Sequence, residues 1–349
     1  MNKKLSIWRI LFLLFLIAGT IYIIRKSQTA ALGEQGVAAE SYTNIQGSIF
    51  GTTYSITYGA AENLQEEITA ELEKVDNSLS PFNKNSIITA INNNGSYTLD
   101  TMFTEVFTLA CEISRNTEGA FDITVAPLVN AWGFGFKNAE KVDSATIDSL
   151  MQLIGYNTVT LSGGRIEKQN PGTMLDCSAI AKGYGCDIVA RLLSSRGIEN
   201  YMVEIGGEVV TKGVNPSGRI WSIGITKPTE RADEESGELF EIINISGKSL
   251  ATSGNYRRYR IEGGKKYAHT IDPRTGYPVE HTLLSATVIA DNCATADAYA
   301  TAFMVVGIEK AMELCRSYNI DAYFIYQDDN GNMGTLITEG FKEYLAAEE

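Results

Sequence analysis

The chain has 349 residues, with 29 Lys and Arg against 42 Asp and Glu, a net charge of −13 and 44% hydrophobic residues. That composition excludes a disordered chain, a collagen-like repeat and a polytopic membrane protein. The first 26 residues hold five of the basic groups and no acid, which leaves 24 basic against 42 acidic groups in the remainder. A body this acidic, whose basic runs never exceed two residues, is not a nucleic-acid binder.

In chain order, an apolar segment comes first. Ile10 to Ile24 is a fifteen-residue uncharged run, mostly Leu, Ile and Phe, behind Lys3, Lys4 and Arg9. Counted from Leu5 it reaches the roughly 20 residues that a spanning helix needs. Residues 1–26 therefore read as an uncleaved signal-anchor in the cell membrane, in preference to a cleaved signal peptide, and either way with the body on the extracytoplasmic side. Residues 27–42 are small and polar and read as a tether, and 43–345 is the folded domain.

Within the domain, Ser48 to Tyr58 predicts a strand and Leu64 to Leu79 an amphipathic helix. Met102 to Thr117 is a second helix, and 119–136 mixes aromatics with Gly and Pro. A short helix over 139–154 and a strand over 158–161 precede a helix over 178–196, ended by Gly197. Strand patterns follow at 201–211, 220–226, 239–245 and 283–290, with a solvated loop over 230–238. A long helix over 294–318 and a hairpin of 321–327 with 333–337 close the chain. The irregular alternation indicates α+β rather than a doubly wound parallel sheet.

The cysteines at 111, 177, 186, 293 and 315 are scattered and odd in number, which favours buried apolar residues over disulfides. With only His269 and His281, a zinc site has no ligand set, and any metal should take oxygen donors. Gly247-Lys248-Ser249 resembles the end of a P-loop, but Ile242 occupies the position that motif needs as Gly. There is no G-x-S-x-G and no G-x-G-x-x-G between a strand and a helix.

Three segments make chemical sense together. Asp297 and Thr301 stand at i and i+4 of the last long helix, two oxygen donors on one face, suited to Mg²⁺. Asp176-Cys177-Ser178-Ala179-Ile180-Ala181-Lys182 opens another helix, where free N–H groups and a lysine suit phosphate. His269 precedes the turn Asp272-Pro273-Arg274-Thr275-Gly276, a rigid mount for a proton acceptor. His281 reads as structural. Aromatic and Gly-rich segments at 80–82, 119–122, 132–135 and 204–208 could stack a planar heterocycle.

Nine motifs in order resemble the ApbE family, the FAD:protein FMN transferases. They include F-G-T-T-Y (50–54), S-P-F…S-I-I…I-N (80–92), G-A-F-D-I-T-V-A-P-L (119–128), W-G-F-G (132–135) and D-C-S-A-I-A-K-G-Y (176–184). E-I-G-G-E (204–208), S-G-N-Y (253–256), H-T-I-D-P-R-T-G-Y-P (269–278) and A-D-A-Y-A-T-A (296–302) complete the set. The resemblance implies an ApbE-type, T-fold-like body that takes FAD and transfers FMN through a phosphoester to a threonine or serine of a target protein, releasing AMP, with Mg²⁺. It implies metal ligands at Asp297, Thr301 and the Ala179 carbonyl. FAD contacts are implied at Phe50, Phe82, Ala120, Phe121, Asp122, Asp176, Lys182 and Ile271, and a base at His269. The acceptor it implies is a subunit of a membrane redox complex of the Rnf or sodium-pumping NADH:quinone reductase kind. Two positions depart from the pattern: Phe50 where many members have Met, and Ala300 where some have a second Asp. The same site with water as acceptor would be an Mg²⁺-dependent FAD pyrophosphatase. A non-catalytic FAD-binding protein would need neither metal nor base.

Overall fold

The computed structural model describes residues 41–136, 142–228, 239–255, 259–262, 265–328 and 330–346. The expected signal-anchor, most of the tether and the loop 230–238 lie outside these residues. Met1–Ser41 and Tyr42–Glu349 are separate units, and the account below concerns the second. Among the described residues no helix is long and apolar enough to cross a membrane.

The first expected strand is a hairpin. β1 (Thr43–Ile49) pairs antiparallel with β2 (Thr52–Tyr58). Phe50 and Gly51 turn the chain with φ of 52° and 74°, the left-handed pair that a tight hairpin requires. α1 (Gln65–Leu79) buries Ile68, Leu72, Val75 and Leu79, the stripe its periodicity announced. α2 (Ile87–Asn92) and α3 (Thr101–Asn116) start at side-chain caps: Ser86 accepts from the Thr89 N–H and Asp100 from the Phe103 N–H. α4 (Ala126–Ala131) carries Pro127 in its first turn, α5 (Ser144–Met151) is capped by Asp143, and β3 (Val159–Ser162) and β4 (Arg165–Lys168) form a small hairpin.

α6 (Ala181–Ser195) follows, then β5 (Tyr201–Ile205) and β6 (Glu208–Lys212). The expected strand 201–211 is thus also two strands, folded at Gly206 and Gly207 with φ of 61° and 99°. β7 (Trp221–Thr226) pairs with β8 (Leu239–Ile245). β9 (Ser249–Gly254), β10 (Tyr259–Glu262), β11 (Lys265–Ala268) and β12 (Leu283–Ala290) come next. The long final helix divides at Gly307, φ 75°, into α7 (Cys293–Val306) and α8 (Ile308–Tyr318). β13 (Asp321–Gln327) and β14 (Met333–Ile337) are the closing hairpin, as the pattern predicts.

One eight-stranded sheet organises the domain in the order β1-β2-β5-β6-β9-β12-β13-β14, with antiparallel neighbours throughout. The α+β expectation therefore holds. β9 lies at the centre of this sheet, although its sequence, S-L-A-T-S-G, gives no strand signal. Its small residues suit the close approach of α7, which packs over β9 and β12. α7 is buried almost all round and spaced by Ala294, Ala296, Ala298, Ala300 and Ala302. Two cores flank this axis. One joins Phe103 and Phe107 of α3 to Phe303 and Met304 of α7 and Phe324 of β13. The other joins Ile56 and Tyr58 of β2 to Ile68 and Leu72 of α1 and to Leu193 of α6.

Candidate active site

The N-terminal turns of α6 and α7 meet, and two of the charged residues expected from the sequence, Lys182 and Asp297, come together there. Asp297, 3% exposed, accepts a hydrogen bond at Oδ2 from the Gly183 N–H at 3.1 Å. The neighbouring Lys182 ammonium forms an ion pair with Glu208 of β6. Glu208 is buried, and its Oε2 has no hydrogen-bond partner. The Lys182 side chain keeps 30% of its surface exposed, so the cluster opens to solvent on one side.

These groups set one another's protonation. Burial pushes the Asp297 carboxyl up, against the lowering effect of Lys182 and the Gly183 N–H. Burial and then Asp297 push Glu208 up to about 8, against Lys182. Burial opposes the charge on Lys182, but Asp297 and Glu208 outweigh it and hold the ammonium above the ordinary lysine range. Two carboxylates against one ammonium leave the fully ionised cluster with an excess of negative charge. A cation bound beside Asp297 and Glu208 would favour their ionised forms.

Thr301 lies one turn beyond Asp297 on α7, and its hydroxyl shares a 3.1 Å hydrogen bond with the Ser253 hydroxyl at the end of β9. Ala179 sits half-buried in the turn before α6. Among the described residues, no three His, Cys, Asp or Glu side chains gather as a metal cage. The donor set available, one carboxylate, one hydroxyl and a backbone carbonyl, fits Mg²⁺, which binds through few protein ligands and retains water.

His269 is tied to this region through the chain. Asn255, two residues past Ser253, accepts at Oδ1 from the Thr270 hydroxyl at 2.6 Å. The His269 ring meets Phe134 edge to face at 6.4 Å between centroids. The following turn is closed by the Gly276 N–H bonded to the Asp272 carbonyl, and the Trp132 indole N–H donates to the Gly276 carbonyl at 2.9 Å. The aromatic segment 119–136 thus supports the histidine loop. His281 is engaged at both nitrogens, Nε2 donating to the Met304 carbonyl and Nδ1 accepting from the Leu283 N–H, in keeping with a structural role.

The remaining candidates differ in what they expose. Phe50 stands at the first hairpin turn, and its ring would lie 2.7 Å from a Cβ at Gly185, which places it over the start of α6. Phe82 is 64% exposed, edge-on to Phe136. Ala120, Phe121 and Ile271 are buried and present almost no surface of their own. Asp122 accepts from the Thr124 N–H, the Thr124 hydroxyl and the Tyr156 N–H. Burial pushes its pKa up while these bonds pull it down. Its geometry is that of a loop anchor. Asp176 accepts from the Ser178 N–H at 2.8 Å and turns the chain into α6. Ala300 is fully buried, so the departure from the family pattern at that position faces core.

Sequence reasoning singled out E-I-G-G-E but not Glu208 as a member of the charged cluster. The available signal was an acidic residue opening a strand of otherwise buried character.

The ApbE family model matches residues 50–324, from the Phe50 turn into β13 and across every member of the cluster. The chain belongs to the ApbE family. It is 38% identical over 315 residues to the FAD:protein FMN transferase of Vibrio cholerae, covering 87% of this chain and 90% of that one. It is 36% identical to that of Haemophilus influenzae, covering 96% and 99%. Among solved structures, the flavin transferase ApbE from Vibrio cholerae superposes with a TM-score of 0.79 at 36% identity, over 87% of this chain and 99% of that one. The apo flavinyl transferase ApbE of Pseudomonas stutzeri gives 0.78 at 32% identity, over 88% and 98%. The mixed sheet-and-helix body is therefore the ApbE fold.

Proposed function

We propose that this chain, a transferase of the ApbE family that moves FMN from FAD to protein, delivers it to a threonine or serine hydroxyl with Mg²⁺, releasing AMP. The observation that carries the reading is the buried Asp297–Lys182–Glu208 cluster, two carboxyls and one ammonium brought together where α6 and α7 start. Mg²⁺ would be held by the Asp297 carboxylate, the Thr301 hydroxyl and the Ala179 carbonyl, and when bound would neutralise pyrophosphate charge and the charge developing on AMP.

The chain's own groups do the rest. Lys182, held cationic by two carboxylates, and the positive end of α6 face phosphoryl oxygens and stabilise charge in the transition state. His269 takes the proton of the acceptor hydroxyl as its oxygen bonds to the FMN phosphorus. The bond from that phosphorus to the AMP oxygen breaks, and AMP leaves. The Phe50 and Phe82 rings and the Ala120, Phe121 and Ile271 positions contact FAD, with Asp122 anchoring the loop at 120–124 and Asp176 the turn into α6. The acceptor in this reading is a subunit of a membrane redox complex of the Rnf or sodium-pumping NADH:quinone reductase kind. The body would be held at the extracytoplasmic face by residues 1–26.

The test incubates the protein with FAD, Mg²⁺ and an acceptor carrying a candidate threonine, followed by in-gel flavin fluorescence and AMP release. A fluorescent acceptor band that disappears with EDTA, or with the threonine replaced by valine, is the expected result. AMP and free FMN without a labelled band would instead indicate hydrolysis.

A further inference from the structure

Asp187 lies outside the motif residues and does not reach the charged cluster with a bond of its own, yet it joins the two helices that build it. From the second turn of α6 its buried carboxylate accepts from the Cys293 N–H at 2.8 Å and the Ala294 N–H at 2.9 Å, the first two residues of α7. In return, Asp297 of α7 accepts from the Gly183 N–H of α6. The arrangement is reciprocal in sequence as well as space. Gly183 and Asp187 are four residues apart on α6, and Cys293 and Asp297 are four apart on α7, so each helix offers one N–H face and one carboxylate to the other. Each carboxylate satisfies backbone donors that a helix start leaves unpaired. A Cβ at Gly183 would fall 2.3 Å from the Cys293 carbonyl oxygen, so the backbones meet at a distance only glycine allows.

We infer that Asp187 is a positioning residue for the metal site: by clamping the start of α7 onto α6 it fixes the depth and orientation at which Asp297 presents its carboxylate. The inference rests on the reading of Asp297 and Thr301 as Mg²⁺ ligands. Asp187 touches neither ligand directly. It sets the register between α7, which carries both, and α6, which follows the Ala179 carbonyl. Neighbouring bonds alone do not do this. Asn292 caps the same end of α7 by accepting from the Thr295 N–H, but from α7's own flank and with no link to α6.

That difference supplies the test. Mg²⁺ alone is titrated calorimetrically into the full chain in detergent, for the parent, Asp187→Asn and Asn292→Ala, with thermal unfolding measured alongside. Asparagine keeps the shape but offers one acceptor and turns an N–H₂ toward the second donor. Asp187→Asn is expected to weaken Mg²⁺ binding about tenfold or more, the effect of losing a residue that orients a ligand. Asn292→Ala is expected to lower the melting temperature yet leave Mg²⁺ affinity within about twofold. Parent-like affinity in Asp187→Asn overturns the inference, as does equal weakening in Asn292→Ala, which would reduce the effect to helix stability. If Asp187→Asn does not fold, Asp187→Glu decides: its longer side chain should weaken binding, and parent affinity overturns the inference. A parent chain that takes up no Mg²⁺ overturns the magnesium reading itself and this inference with it.

Discussion

Lys182 illustrates how burial and charge divide the work between residues. Its ammonium is costly to bury, and Asp297 and Glu208 restore it to the charged form. Replacing Asp297 by alanine removes the proposed metal carboxylate and the partner of the Gly183 N–H together. Mg²⁺ binding and FMN transfer are expected to fall in parallel, transfer by at least about 10²-fold, as magnesium titration and acceptor labelling would register. His269→Ala separates binding from chemistry. Its ring packs against Phe134, and the loop keeps the Thr270–Asn255 and Trp132–Gly276 bonds without it. FAD affinity should stay within about threefold while transfer falls about 10²–10⁴-fold. Unimpaired transfer would remove His269 from the role of base.

At the level of elements, the site is the seam between α6 and α7, and its closeness depends on Gly183. Gly183→Ala would put a methyl group against the Cys293 carbonyl, a backbone atom that cannot rotate away. A loss of about 1–3 kcal/mol, read from denaturant unfolding, is expected, with weakened Mg²⁺ binding because the helices must part. The elements most legible in the sequence were those whose pattern is local. α1 shows its stripe of Ile68, Leu72, Val75 and Leu79, and the β13–β14 hairpin keeps its strand signals. Two single strands proved to be hairpins because Gly51 and the Gly206-Gly207 pair, inside the expected strands, take left-handed turn conformations. The helix over 294–318 divides because Gly307 takes φ 75° beside the His281 ring. The apolar pattern continues across that break, since α7 is buried almost all round and α8 buries Ala311, Leu314 and Cys315.

Over the whole molecule, the negative charge and the charge of FAD's pyrophosphate repel, which makes cation uptake a condition of binding in the proposed reading. An ion that binds the folded chain but not the unfolded one raises stability by mass action. Mg²⁺ at about a hundred times its dissociation constant should add about 2.7 kcal/mol. The melting temperature should rise by several degrees, return to baseline with EDTA, and stay flat in Asp297→Ala. Calorimetric melting of the three samples checks this.

Chemistry that lies close along the chain was legible from residue order: the α+β class, the oxygen donors spaced by one turn at Asp297 and Thr301, the lysine at a helix start, the histidine before a tight turn. Each rests on local rules, in which side chains three or four residues apart share a helix face and a turn holds the residue beside it. Which of these meet is set by packing. β9 carries almost no local strand signal and becomes central because β6 and β12 pair with it beneath α7. Glu208 joins Lys182 from 26 residues away, and Asp187 reaches Cys293 and Ala294 across more than a hundred. Asp122 became a loop anchor because Tyr156 donates to it from another segment. Such pairings follow from how sheet and helices pack, a property of the closed chain that no spacing in the sequence records.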